Sequence, residues 1–174
     1  GRAMGSSGVL GWWRGARLDL LAAATGADPK QRVPWYGPDM SVMSFITARV
    51  METWAHGVDV SDAFGVPVEA SDRLRHVAHI GFGARGFSYM VNGRDLPGDP
   101  VELVLTSPGG EQWRWGPGDA ADRVEGSALD FCLLVTQRRH RDDTELRVTG
   151  PLAEEWIGIA QAFAGPPGGG RAPL

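Results

Sequence analysis

Apolar residues recur at helical spacing from the start of the chain. Leu10, Trp13, Leu20, Leu21 and Ala24 share a face with Arg17, the repeat of an amphipathic helix. Ser6 and Ser7 can cap its start and Gly26 can close its end, so a helix is predicted over 8–25. Residues 26–40 carry Pro29, Pro34 and Pro38 and read as an irregular connection. Ser41 opens a second helix over 41–64. On its wheel Met43, Val50, Met51, Trp54 and Val58 gather on one side. Arg49, Glu52, His56 and Asp59 gather on the other, interleaved with Phe45, Ala48 and Ala63. A Phe within a polar face predicts a helix buried on both sides, with a polar stripe enclosed.

After Gly65-Val66-Pro67 the pattern changes. Ser71 caps a third helix over 71–84, able to run on to Tyr89. Asn92-Gly93 and Pro97-Gly98 mark turns. Val101–Thr106 alternates as a half-buried strand, and Glu111–Gly116 is its hairpin partner across Pro108-Gly109-Gly110. A helix is predicted from Ser127 to Arg138, a strand over 144–149, and a last helix from Pro151 to Phe163. The Gly- and Pro-rich stretch from Gly165 reads as a flexible tail. The order is α+β: helices first, then a small mixed unit.

Candidate chemistry centres on Glu52 and His56. Four residues apart, they stack on one helical face, and a carboxylate beside an imidazole is half of a metal site. The plainer reading is a polar (i, i+4) pair on a solvated face. His76 and His79 could share a face as well, but no third ligand is visible beside them. Trp113 and Trp115 point to one side of a strand and read as core rather than as a pocket lining. Cys132 is the only cysteine and lies in the apolar run Leu129–Val135, which suits a small buried hydrophobe.

Composition narrows the choices. Net charge is −4, and the one basic run, Arg138-Arg139-His140-Arg141, is followed at once by Asp142-Asp143. That argues against a dedicated nucleic-acid binder. Sixteen arginines against the single Lys30 point to a GC-rich genome rather than to a function. No apolar stretch reaches the roughly 20 residues that span a bilayer, so no membrane partner is expected. No secretory signal is visible, which makes the cytoplasm the default location.

The stretch Met51-Glu52-Thr53-Trp54-Ala55-His56-Gly57-Val58-Asp59 resembles the metal-binding helix of the mycothiol-dependent maleylpyruvate isomerase family, a branch of the DinB-like metal bundles. The family pattern is Glu-x-Trp-x-His-x-x-Asp. The segments Asp72–His79, Ala128–Arg139 and Ala160–Pro167 look like an uncharacterised actinobacterial branch of it. The resemblance implies a partial DinB-like helical bundle over 1–68, a small α+β domain over 69–165 and a tail over 166–174. It implies a divalent metal, zinc above all, held by Glu52 and His56 with a third histidine from an earlier bundle helix. No residue of this chain matches that histidine, so the chain is expected to be a fragment that begins at the third bundle helix. Leu10, Trp13, Leu20 and Met51 would then be exposed and would promote association.

By the same resemblance Arg138 would reach the site and bind a carboxylate or the thiol cofactor. Arg139 is nearly as good a match, and a cation at a helix C-terminus is the plainer reading of either. The implied activity is thiol-assisted isomerisation, or transfer of a thiol such as mycothiol to a small electrophile. A binding module without turnover and a regulatory or scaffold member of the family are the alternatives. The branch also carries a weaker likeness to proteins of wyosine base formation. A lone cysteine and the lack of a basic surface leave tRNA modification outside the reading.

Overall fold

The computed structural model describes residues 4–35 and 39–173. The centre of the proline-rich connection, residues 36–38, lies outside them. The elements run α1 (Ser6–Gly26), β1 (Arg32–Val33), β2 (Met40–Ser41), α2 (Val42–Phe64), α3 (Leu74–Gly83), α4 (Arg85–Val91), β3 (Val101–Thr106), β4 (Gln112–Trp115), β5 (Asp122–Ser127), α5 (Ala128–Val135), β6 (Arg147–Thr149) and α6 (Pro151–Ile159). The fold is α+β, as expected. Among the described residues no helix is long and apolar enough to cross a membrane.

The chain divides within α2 into two units, 1–46 and 47–174. In the first, α1 buries none of its residues. Leu10, Trp13 and Leu20 are 45%, 50% and 39% exposed, as the sequence predicts. The connection is less irregular than expected, because β1 and β2 pair antiparallel through Val33 and Met40. Trp35 meets Phe45 edge-on, with ring centroids 5.6 Å apart. Ser41 caps α2 as predicted, its Oγ accepting the Ser44 amide at 3.1 Å.

The second unit holds the core. Its sheet has the order β4-β3-β5-β6. β3 pairs antiparallel with β4 and parallel with β5, and β5 pairs antiparallel with β6. One sheet face presents Leu103, Leu105, Trp113 and Val124 to the helices. The other is polar: Glu102 is 1% exposed yet takes Arg114 at 3.1 Å and Arg123 at 2.9 Å. A buried carboxylate is tolerable only when paired in this way. Trp156 lies at the centre of the core, edge-on to both Phe82 and Phe131 at 5.9 Å. α3 approaches α5 at Gly81, where a Cβ would sit 2.8 Å from Val135 Cγ2.

Several elements depart from expectation. The third helix breaks at Ala84 (φ −81°, ψ 4°) and resumes as α4. The predicted helix from Ser127 ends at Val135, short of Arg138. β5 was not anticipated, although it lies between β3 and β6. Its sequence, Asp122-Arg123-Val124-Glu125-Gly126-Ser127, offers one aliphatic side chain and no apolar alternation. Met51, expected at the surface, is 3% exposed, because it shares a stripe of α2 with Ala55 and Val58 that joins the core.

α6 owes its start to a residue thirty positions upstream. Asp122 Oδ1 accepts the amides of Leu152 at 2.7 Å and Ala153 at 3.0 Å. Gly150, at φ 90°, brings the chain against that carboxylate, where any Cβ would stand 2.3 Å from Oδ1. The helix thus receives its N-terminal acceptor from a strand rather than from its own capping residue. Asp122→Ala should destabilise the protein by about 1–3 kcal/mol, since two amides lose a 7% exposed partner. Urea denaturation measures this, and an unchanged midpoint would contradict the capping role.

Candidate functional site

α2 supplies the acidic and imidazole groups of the candidate site. Glu52, His56 and Asp59 follow one helical face, as their spacing requires. Glu52 Oε2 lies 3.5 Å from His56 Nε2. On the other side of the ring, His56 Nδ1 lies 3.2 Å from Asp59 Oδ2. The Asp59 carboxylate cannot donate, so this contact places an N–H at Nδ1 and turns Nε2 toward Glu52. The sequence placed the pair together, and the structure does so too. The predicted enclosure of the polar stripe is not met: the His56 side chain is 70% exposed and Glu52 32%. Burial of α2 in this unit is confined to the stripe of Met51, Ala55 and Val58.

The arginine expected from the second domain arrives at the same place. Arg138 forks onto Asp59, with Nε to Oδ1 at 3.1 Å and Nη2 to Oδ2 at 2.8 Å. Its Nη1 donates to the Thr136 carbonyl at 2.6 Å. All three of its nitrogens are therefore engaged within the chain, and its side chain is 16% exposed. Arg138 meets the site through Asp59 rather than through an open guanidinium. It also caps a carbonyl at the end of α5, so the helix-terminus reading holds alongside.

Arg139 repeats the arrangement one step further. Its Nη2 and Nη1 lie 2.7 Å and 2.8 Å from the two oxygens of Asp62. Arg171, far along the chain, reaches the same carboxylate at 3.1 Å. Asp59 and Asp62 are three residues apart, which places both on one side of α2. Two consecutive arginines can face them because the chain reverses sharply after α5. The Gln137 amide donates to Leu134 O and the Arg138 amide to Leu133 O, both at 2.8 Å. Gln137 takes φ 58°, the left-handed conformation of a Schellman ending, in a place where glycine is usual.

These contacts set the charges. Arg138 beside Asp59 holds that carboxyl below its usual range, against the opposing pull of partial burial. Arg139 does the same for Asp62, and Asp62 in turn raises the Arg139 guanidinium. Cys132 is 0% exposed, and burial pushes its thiol far up, so it stays protonated and inert.

Glu52 Oε2 and His56 Nε2 suit two positions around one divalent cation. Asp59 is not a third donor to that point, since it occupies the opposite ring nitrogen. Among the described residues no three His, Cys, Asp or Glu side chains are arranged to hold a metal. His76 and His79 stay apart from this site, and His79 Nδ1 accepts from Trp115 Nε1 at 3.3 Å. Trp113 is buried and meets Trp115 edge-on, in keeping with a core role. Sequence reasoning missed Asp62 and Arg171. Asp62 had a signal, an Asp-x-x-Asp spacing on α2 that matches the Arg-Arg pair. Arg171, in a Gly- and Pro-rich stretch, had none.

The depressed Asp62 pKa carries a pH dependence. A carboxyl lowered on folding contributes stability above its ordinary value of 3.8, and the contribution is lost as pH falls below that through the folded value. Asp62→Asn should therefore lower stability near neutrality by about 0.5–1 kcal/mol and flatten its decline below about pH 4. Chemical denaturation at several pH values tests this, and parallel acid profiles for variant and parent would refute it.

Residues 1–61 match the family described as the mycothiol maleylpyruvate isomerase N-terminal domain, a span that takes in α1 and the Glu52–His56–Asp59 face. Residues 104–147 match a second family, described as wyosine base formation. Uncharacterised proteins from two strains of Mycobacterium tuberculosis are 47% identical over 169 residues, 97% of this chain. The chain spans 66% of the length of those relatives. No solved structure matches it. Over residues 1–61, which carry the acid–imidazole face of α2, the chain is similar to the mycothiol maleylpyruvate isomerase N-terminal domain family.

Proposed function

We propose that this protein binds a divalent metal, zinc by preference, and uses it on a small thiol such as mycothiol for isomerisation of, or transfer to, a small electrophile. The observation that carries the reading is the directed imidazole. With Nδ1 on Asp59, His56 turns its Nε2 toward the Glu52 carboxylate 3.5 Å away. An acid–histidine contact behind a ligating ring fixes the tautomer and raises the basicity of the donor nitrogen. Glu52 and His56 would hold the ion, with a third donor from outside the described residues. The 70% exposure of His56 leaves room for that donor and for a ligand. In this reading residues 1–68 are part of a DinB-like bundle, and 69–165 form the small α+β domain that brings in Arg138.

A bound zinc ion supplies Lewis acidity and keeps a coordinated thiol ionised near neutral pH. The chain's own groups do the remaining work. Glu52 and His56 orient the ligand, Asp59 holds the His56 proton at Nδ1, and Arg138 holds Asp59. Because the Arg138 fork is occupied by Asp59, an anionic substrate would meet a guanidinium already half neutralised. The second reading is a binding or regulatory member of the family without turnover. The closed Arg138–Asp59 pair favours it, since an arginine committed to a partner is not open to a substrate carboxylate.

Metal analysis separates these ideas. A full-length relative that carries the equivalents of Glu52 and His56 should hold about one zinc per chain. Replacement of either equivalent by alanine should abolish binding. Removal of the Asp59 equivalent should weaken it by about 10–100-fold. Equal zinc in parent and variants would reject the metal assignment. Zinc retained without thiol-dependent turnover would favour the binding module.

A further inference from the structure

The segment after α6 is more than a tail. Gln161 is 1% exposed, and its side-chain amide organises the chain that follows. Its Nε2 donates toward the carbonyls of Phe163 at 3.0 Å, Gly165 at 3.3 Å and Pro166 at 3.3 Å. Its Oε1 accepts the Gly168 amide at 3.4 Å. The Gln161 backbone amide donates to Ser88 Oγ at 3.0 Å, and the Ala162 amide donates to Val135 O at 2.8 Å. The segment is thereby fastened to α4 and to the last residue of α5.

From that fastening it reaches both ends of the Arg138–Arg139 turn. Gly168 runs against the Gln137 side chain, where a Cβ would stand 2.2 Å from Oε1. Three residues on, Arg171 Nη1 reaches Asp62 Oδ2, the oxygen that also accepts from Arg139 Nη1. One contact bears on the left-handed residue that aims the two arginines. The other bears on the aspartate that receives the second of them. Arg138 thus lies on a turn held at Gln137 by the strap, while the partner of the next arginine, Asp62, is held by Arg171.

We propose that residues 161–171 form a positioning strap, which holds the Gln137 turn and Asp62 so that Arg138 stays on Asp59 and His56 stays aligned. The proposal rests on the reading of Glu52, His56, Asp59 and Arg138 as the working site. Gln161 and Arg171 are its positioning residues, and neither touches a reacting group.

The test uses the whole chain and two variants, Gln161→Leu and Arg171→Ala. Hydrogen exchange of the Arg138 Nε–H, followed by nitrogen-15 NMR, reads the Asp59–Arg138 contact directly. Exchange should quicken by about tenfold in Gln161→Leu and about threefold in Arg171→Ala. Arg94→Ala, which removes an ion pair to Glu155 distant from the site, should leave it unchanged. Unchanged Arg138 exchange in the folded variants overturns the strap, whatever happens to their melting temperatures. If Gln161→Leu fails to fold, Arg171→Ala decides alone. Quickened exchange in the variants, together with no zinc in a full-length relative that carries the equivalents of Glu52 and His56, retains the strap and counts against the metal reading instead.

Discussion

Asp59 and Asp62 stand three residues apart on α2, and each receives a guanidinium fork from one short turn. The geometry of the candidate site follows from this match. A single exposed ion pair contributes at most about 1 kcal/mol, because solvent screens it and two long side chains must be ordered. Two pairs side by side, each bidentate, contribute more in direction than in energy. A fork onto a carboxylate fixes the plane of both groups. Asp59 fixed in this way can present its second role, the contact with His56, at a constant angle. Arg138 thus governs an imidazole that it does not touch.

Much of this was legible in the sequence and some was not. The (i, i+4) spacing placed Glu52 and His56 together because a regular helix leaves no other arrangement. The Schellman ending of α5 was not legible, because its left-handed residue is Gln137 and not glycine. With the helix assumed to continue to Arg138, the two arginines would have diverged by about 100° around the axis. The turn instead presents them together. β5 escaped because its place between two strands is set by long-range pairing, while its own residues serve other duties: Asp122 caps α6, and Arg123 neutralises Glu102. The polar stripe of α2 was expected inside, since a Phe lay within it. Phe45 instead finds Trp35 near the start of the helix, and the stripe around His56 stays open.

The second unit manages its buried charge by a consistent rule. Glu102 lies nearly without solvent on one sheet face and is met from both neighbouring strands. Glu125 takes Arg147 across the β5–β6 pair at 2.8 Å. Arginine does this work throughout, as it must in a chain with one lysine. Its planar fork suits carboxylates held in register by strands or by a helix face. The same chemistry recurs at α2, where two forks stand beside the buried apolar stripe of Met51, Ala55 and Val58.

The burial of Cys132 has a practical meaning for sulfur chemistry in this chain. A sulfhydryl sealed among Leu74, Phe131 and their neighbours, and held in its neutral form, offers no partner for a mixed disulfide. Colorimetric reagents added to the folded protein would therefore register only the low-molecular-weight thiol supplied with them. The polypeptide provides its own blank, and oxidative loss of such a compound could be followed in its presence without correction for a protein adduct.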